Sequence, residues 1–257
     1  MIRLVFLLRR APHLSLEEFH RYWREEHAPL VASHQHHLGI LKYVQVHRVD
    51  DPAWANLAGA RGEMESPYDG TAELWWESEE AFAAASANDA GRRAGAALLE
   101  DERRFIDLPA SPLWLAHEYP QVNPTPENIV ARERSSILKL YFPLRHRSEL
   151  TLDEAQRYWR VQHGPTIRRQ APAMGMLRYQ QIHRYETPFE AALRAGRQTA
   201  VEPYTGHAEA WLDGAVSRGG ADVRAAGRTA VEDERHFIDF ARSNIWVGKE
   251  HVIIDRM

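Results

Sequence analysis

Glu18-Phe19-His20-Arg21-Tyr22-Trp23-Arg24-Glu25-Glu26-His27-Ala28-Pro29-Leu30 is echoed later in the chain by Glu154-Ala155-Gln156-Arg157-Tyr158-Trp159-Arg160-Val161-Gln162-His163-Gly164-Pro165-Thr166. The offset is 136 residues, and it extends without a gap. It lays Leu41, Tyr43, Gln45, His47 and Arg48 on Leu177, Tyr179, Gln181, His183 and Arg184, then Tyr68, Gly70, Glu73 and Trp75 on Tyr204, Gly206, Glu209 and Trp211. Further on the offset becomes 132, matching Asp101-Glu102-Arg103, Phe105-Ile106-Asp107 and Trp114 to Asp233-Glu234-Arg235, Phe237-Ile238-Asp239 and Trp246. An internal repeat of this kind decides the architecture before any single element does. We divide the chain into modules at 1–119 and 136–257, joined by a Pro- and Asn-bearing connection at 120–135 that is expected to cross the surface. The second module is shorter by four residues near Gly219-Gly220, where the first has an Ala-rich helix.

Local patterns place the elements. Leu4, Phe6 and Leu8 alternate with Arg3, Val5 and Leu7, which predicts a strand, and Leu138 to Leu144 repeat it. Ser15-x-x-Glu18 and Thr151-x-x-Glu154 are capping boxes that open a helix. Leu16, Phe19, Trp23 and His27 recur at three- and four-residue steps, so Trp23 and His27 share its inward face, and Pro29 is expected to end it. Strands over 39–48 and 70–77, a helical stretch from Glu79 to Phe105 broken near Asn88 to Gly91, and a strand near 112–119 complete the module. The order β-α-β-β-α-β is the ferredoxin-like unit, with helices on one face of its sheet. Two such units in one chain predict an α+β fold in which the bare sheets pack together as an intrachain barrel.

The motif Glu18-Phe19-x-x-Tyr22-Trp23-x-x-x-His27-Ala28-Pro29-Leu30, with Tyr43-x-Gln45-x-His47, Tyr68-Asp69-Gly70 before Glu73 and Trp75, and Asp101-Glu102-x-x-Phe105, resembles the EthD family of dimeric α+β barrels. The second module departs from it at Ala155 and Thr166, and the loop from Asp50 to Ser66 is extra to the minimal unit. The family is named after a gene that accompanies an ether-degrading oxygenase. Barrels of this type include isomerases, cyclases, dehydratases and cofactor-free oxygenases. The resemblance implies a small hydrophobic or aromatic metabolite as ligand, in a pocket beside the sheet.

Composition narrows the chemistry. With no cysteine, the chain has no disulfide, thiolate nucleophile or cysteine-ligated metal, and it is expected to be cytoplasmic. A formal charge of −4 with interspersed signs gives no footprint for nucleic acid or an anionic membrane. No G-x-G-x-x-G or G-K-[ST] motif stands in the chain, and no cofactor is expected. Ser33-His34-Gln35-His36-His37 is rich in histidine, but its spacing does not converge on one ion and the second module lacks it, so no metal is assigned.

His27 and His163 are the candidate proton-transfer groups, alternatively core histidines at a helix end. A helix C-terminus favours the imidazolium and burial the neutral ring, which leaves the acid or base role open. Trp23 and Trp159 are core residues first and pocket walls second. Tyr43, Tyr179, His47 and His183 are candidates for binding a substrate oxygen, or else polar fillers of the barrel interface. Glu73 and Glu209, beside Trp75 and Trp211, are candidate bases or else partners of Arg9/Arg145 or Arg48/Arg184. Asp101-Glu102-Arg103 reads as a solvated helix end or an intermodule ion pair. The leading reading is a cofactor-independent cyclase, dehydratase or isomerase. The alternatives are a cofactor-free oxygenase of phenols, or a non-catalytic carrier or accessory protein to an oxygenase. The first module is the expected worker, because it keeps Phe19 and Leu30 and has the longer second helix. A homodimer is left open.

Overall fold

The computed structural model describes residues 1–51, 56–124, 129–215 and 220–257. Pro126 and Asn128 of the connection, residues 52–55 of the long loop and Gly219 of the deletion site lie outside them. The first repeat runs β1 (Ile2–Leu8), α1 (Leu16–Tyr22), a π-helical turn (Trp23–His27), α2 (Ala28–Leu38), β2 (Lys42–Arg48), the short α3 (Asn56–Gly59), β3 (Gly70–Trp76), α4 (Glu79–Ala87), α5 (Asp89–Phe105) and β4 (Leu113–Val122). The second runs β5 (Ile137–His146), α6 (Leu152–Tyr158), a π-helical turn (Trp159–His163), α7 (Gly164–Gln170), β6 (Met176–Tyr185), α8 (Pro188–Arg197), β7 (Gly206–Asp213), α9 (Ala221–Glu234), the short β8 (Ile238–Asp239) and β9 (Trp246–Asp255).

Within each repeat the sheet is antiparallel, ordered β4-β1-β3-β2 and β6-β7-β5-β9. The repeats meet at their edges as well as their faces: β4 pairs with β6 and β2 with β9, and the strands close into a ring. A free strand edge is a row of unpaired amides, and closure satisfies both rows. The bare sheet faces therefore enclose a lumen packed with Val5, Leu7, Val46, Trp114, Tyr141 and Trp246, while the helices lie outside and cover a separate core in each repeat.

Two expectations are corrected. Pro29 does not end the helix, which continues to Leu38. In the π turn the Ala28 amide donates to the Trp23 carbonyl five residues back, and Pro29 then falls in the first turn of α2, where no intrahelical acceptor awaits an amide. His27 is thus a mid-helix residue and not a helix end. β4 runs on through Pro120 to Val122, into the connection, whose described residues are exposed or half-buried except Ala131, the amide of which donates to Glu250 Oε2 at 2.8 Å. In the place of the 50–66 loop the second repeat carries α8.

The lumen also holds charge. Arg3 contacts Glu73, Glu209 and Glu118, and Lys139 Nζ lies 2.8 Å from Glu73, 3.1 Å from Glu209 and 3.3 Å from Glu250. Arg3, Lys139, Glu73 and Glu209 are essentially sealed from solvent. Removing one partner of such a group strands its counter-charges in low dielectric. Lys139→Met is expected to lower unfolding stability by about 3–5 kcal/mol, read from the urea midpoint, whereas a loss below about 1 kcal/mol, the worth of an exposed pair, would show that the cluster is not holding the ring.

Candidate functional site

Each repeat encloses a cavity between its helices and the outer face of its sheet, and His27 and His163 stand in the two walls. His27 Nδ1 lies 2.8 Å from Asp101 Oδ2, and the Tyr22 hydroxyl donates to Asp101 Oδ1 at 2.7 Å. The second repeat reproduces this, with His163 Nδ1 2.6 Å from Asp233 Oδ2 and the Tyr158 hydroxyl donating to Oδ1 at 3.1 Å. The hydrogen bond from His27 pulls the Asp101 carboxyl below its ordinary range against burial, and Tyr22 adds to it. Burial opposes the same shift at Asp233, where the bond from His163 prevails. An anionic Asp can only accept, so Nδ1 carries the hydrogen and Nε2 is the ring atom left to the cavity.

In the wall of the same cavity as each histidine a buried tyrosine has its oxygen occupied. Trp23 Nε1 and Gln45 Nε2 both donate to the Tyr43 hydroxyl at 2.9 Å, and Trp159 Nε1 and Gln181 Nε2 donate to the Tyr179 hydroxyl at 3.1 and 3.5 Å. With both lone pairs engaged, the hydroxyl hydrogen must be donated elsewhere, and each tyrosine lines its cavity. Burial raises both phenols, so they stay protonated donors. Gln45 Nε2 also donates to the Trp23 carbonyl at 2.9 Å, tying the π turn to β2, as Gln181 ties the other turn to β6 at 2.8 Å. Gly70 permits this close seat, since a Cβ there would stand 2.6 Å from the Trp23 ring.

The remaining sequence candidates divide. Trp23 and Trp159 line the cavities with the histidines and tyrosines. His47 and His183 lie behind those indoles, stacked on them at 4.7 and 4.6 Å between ring centroids, and bond to Gln45 and Gln181 at 3.0 and 3.1 Å. Burial depresses both, His183 to about 3. Glu73, Trp75, Glu209 and Trp211 point the other way, into the lumen. Burial pushes Glu73 up against the pull of Arg3, while Arg3 and Lys139 hold the equally buried Glu209 down. Their cations are Arg3 and Lys139 and not the expected Arg9/Arg145 or Arg48/Arg184: Arg9 and Arg145 lie over Tyr68 and Tyr204, and Arg48 and Arg184 pair with Asp69 and Glu190.

Sequence reasoning missed the partners of the cavities. Asp101 and Asp233 orient the histidines. Glu102 and Glu234, the next residues along, line the cavities and each receives a bidentate arginine from the opposite repeat. Arg197 Nε and Nη2 donate to Glu102 at 2.9 and 2.8 Å, and Arg61 Nε and Nη2 donate to Glu234 at 2.7 Å each. The intermodule ion pair was one of two readings of Asp101-Glu102-Arg103. Its arginines were legible as well, because the same 136-residue offset lays Arg61 on Arg197.

The cavities differ in size, at about 320 Å³ in the first repeat and about 830 Å³ in the second as bounded by the described residues. In the first, Phe82 of α4 stacks on Trp76 at 3.7 Å, and Leu98 projects from α5. Leu212 and Ala230 replace Trp76 and Leu98 in the second. The longer helical stretch of the first module thus narrows its cavity through Phe82 and Leu98. Of metal-ligating groups, His36 and His37 are exposed on α2, and Glu73, His207 and Glu209 bring ligand atoms within 4.8 Å of one another. Arg3 contacts Glu209 there and Lys139 contacts both carboxylates, supplying the positive charge a cation would.

Comparison with known proteins agrees with this architecture. The EthD domain model matches residues 11–109 and again 147–241. No curated protein matches the chain. Among solved structures, an anthrone oxidase-like protein is similar over 100% of this chain and 94% of its own at 11% identity, with a TM-score of 0.52. An ethyl tert-butyl ether degradation (EthD) family protein from Bacillus halodurans is similar over 46% of this chain and 99% of its own at 20% identity, with a TM-score of 0.33.

Asp101 and Asp233 have depressed folded pKa values, so the stability they confer is present above the unfolded value of about 3.9 and is lost as pH falls through the folded one. The double variant Asp101→Asn/Asp233→Asn is expected to melt lower than the parent at neutral pH and to converge with it as pH falls below about 4. Melting curves between neutral and acidic pH that run parallel throughout would refute the His–Asp linkage.

Proposed function

We propose a function from one premise: the chain belongs to the EthD domain family, in both of its halves. Our reading is a cofactor-independent acid–base enzyme of the cyclase, dehydratase or isomerase type, built from modules 1–119 and 136–257 and acting on a small aromatic or hydrophobic substrate that carries a carbonyl. The observation that carries it is an imidazole whose Nδ1 is engaged by a carboxylate and whose Nε2 is left to a largely apolar cavity beside a tyrosine hydroxyl with an uncommitted hydrogen.

In this mechanism the Tyr179 hydroxyl, or Tyr43 in the first module, donates to the substrate carbonyl oxygen. His163 or His27 takes a proton from the adjacent carbon through Nε2. The oxygen becomes an enolate, steadied by the tyrosine, and the imidazolium is steadied by Asp233 or Asp101. Return of the proton to another carbon isomerises the substrate. Attack of the enolate carbon on a second carbonyl cyclises it, the imidazolium returning its proton to the new alkoxide, and loss of a β-hydroxyl, protonated by the imidazolium so that it leaves as water, dehydrates it. Trp159 and Trp23 keep water from the intermediate. We assign the work first to the second module, whose cavity is the larger.

A second reading shares the first step. An electron-rich enolate or phenolate formed this way can itself reduce oxygen, and the fold likeness to an anthrone oxidase-like protein favours testing it. Oxygen uptake with polyphenols separates the two, and tight binding without turnover would instead mark a carrier. Among the described residues no helix is long and apolar enough to cross a membrane, and we place the protein in the cytoplasm with a small-molecule partner and no nucleic acid.

Enolisation can be read directly as exchange of α-hydrogens of aromatic ketones with deuterated solvent, followed by NMR. His163→Gln and Asp233→Asn are each expected to slow exchange, the first by about 10²–10⁴-fold, while Tyr179→Phe slows it less. Exchange unchanged in the double variant His27→Gln/His163→Gln would remove the mechanism.

A further inference from the structure

The loop between the second and third strands of each repeat reaches over the other repeat. Leu57, Ala58 and Met64 of the first pack on the helix-side core of the second, and Phe189 and Leu193 of the second pack on that of the first. Backbone bonds fix both arms: Glu65 donates to the Ser243 carbonyl at 2.9 Å, and Ala200 to the Pro109 carbonyl at 2.9 Å. Each arm ends over a cavity wall, with the Arg61 guanidinium 4.9 Å from the Phe142 ring centre and that of Arg197 5.4 Å from the Phe6 ring centre.

These arginines meet Glu234 and Glu102, carboxylates only 5% and 7% exposed at the side chain, in the walls that hold His163 with Tyr179 and His27 with Tyr43. A bare carboxylate there would repel any ligand whose oxygen is or becomes negative. The bidentate guanidinium cancels that charge.

We infer that each cavity is completed by the opposite module, and that Arg61 in the second cavity and Arg197 in the first are positioning residues that fit them to ligands with an acidic oxygen: an aromatic carboxylate, a phenolate or an enolate. The inference rests on the reading of these cavities as the ligand sites, and it names the ligand class that reading leaves open. It also makes a crossed prediction. The arginine that matters to the second cavity lies in the first module, and the reverse.

The test uses the full chain and two fluorescent probes of similar shape, 2-naphthoate, an anion at neutral pH, and 2-naphthol, which is neutral there. Gly95 and Gly227 line the first and second cavities, and a Cβ at either meets nothing within 4 Å, so Gly95→Phe and Gly227→Phe are chosen to fill one cavity at a time. In the Gly95→Phe chain, Arg61→Gln is expected to weaken naphthoate by at least about tenfold and naphthol much less, with Arg197→Gln without effect. In the Gly227→Phe chain the roles exchange. Should Arg61→Gln alone fail to fold, Arg61→Gln/Glu234→Gln removes both charges together and is expected to bind naphthol as the parent does. Equal losses for both probes, dependence on the arginine of the same module, or no dependence on either would each overturn the inference. Because binding is measured without turnover, a protein that showed the crossed pattern but no α-hydrogen exchange would sink the catalytic mechanism and leave this inference standing.

Discussion

A four-stranded sheet leaves two edges of unsatisfied amides, and in this chain each repeat satisfies the edges of the other. The pairings β4–β6 and β2–β9 turn two open sheets into one ring. Much else follows from that constraint. Side chains alternate across a strand, so each strand splits its residues between a closed lumen and an outer face roofed by helices. On β3, Glu73 and Trp75 go inward and Ala72 and Leu74 outward, and no adjustment short of a register slip exchanges them. Ring closure thereby separates the buried carboxylates of the lumen from the histidines of the helix-side cavities.

The lumen shows what fusion permits. A two-fold homodimer repeats every residue across its axis. Here the corresponding positions are Arg3 and Lys139, Glu73 and Glu209, Glu118 and Glu250, related by the offsets of the repeat but no longer all identical. Arg3 reaches both central glutamates and Lys139 does the same, so neither half neutralises its own charge alone. His207, where the first repeat has Thr71, bonds Glu209 at 3.0 Å, and burial keeps it neutral, depressed to about 3. The paired positions differ in residue identity, yet each keeps the sign of its charge: Arg3 and Lys139 are cations, and Glu73/Glu209 and Glu118/Glu250 are carboxylates.

The fold was legible because its determinants are local or periodic. The capping boxes at Ser15 and Thr151 form as read, and the alternation in β1 assigns its faces correctly. Pro29 misled because proline forbids a donor, not a helix, and a π turn just before it removes the need for one. The site was half legible. Trp23, His27 and Tyr43 lie near enough in sequence for pattern to unite them, whereas Asp101 is 74 residues from His27, and Glu102 is 95 from Arg197. His47 failed for a different reason. It has the right face of β2, but Trp23 covers it, and depth within a face is not a property of period two.

Our proposal places the chemistry in the larger cavity because of what bounds it. The two repeats carry the same His–Asp pair, the same Trp–Tyr–Gln set and the same crossed arginine, so reactivity does not tell them apart. Among the described residues the space in front of those groups differs, narrowed in the first repeat by Trp76, Phe82 and Leu98, where the second has Leu212 and Ala230 at the positions of Trp76 and Leu98. Such changes alter which ligand enters without altering what happens to it once there. Because part of each cavity's wall comes from the other module's arm, trimming away either half removes lining from the cavity that remains. A module whose own cavity is crowded is still needed for the arginine it extends across the seam.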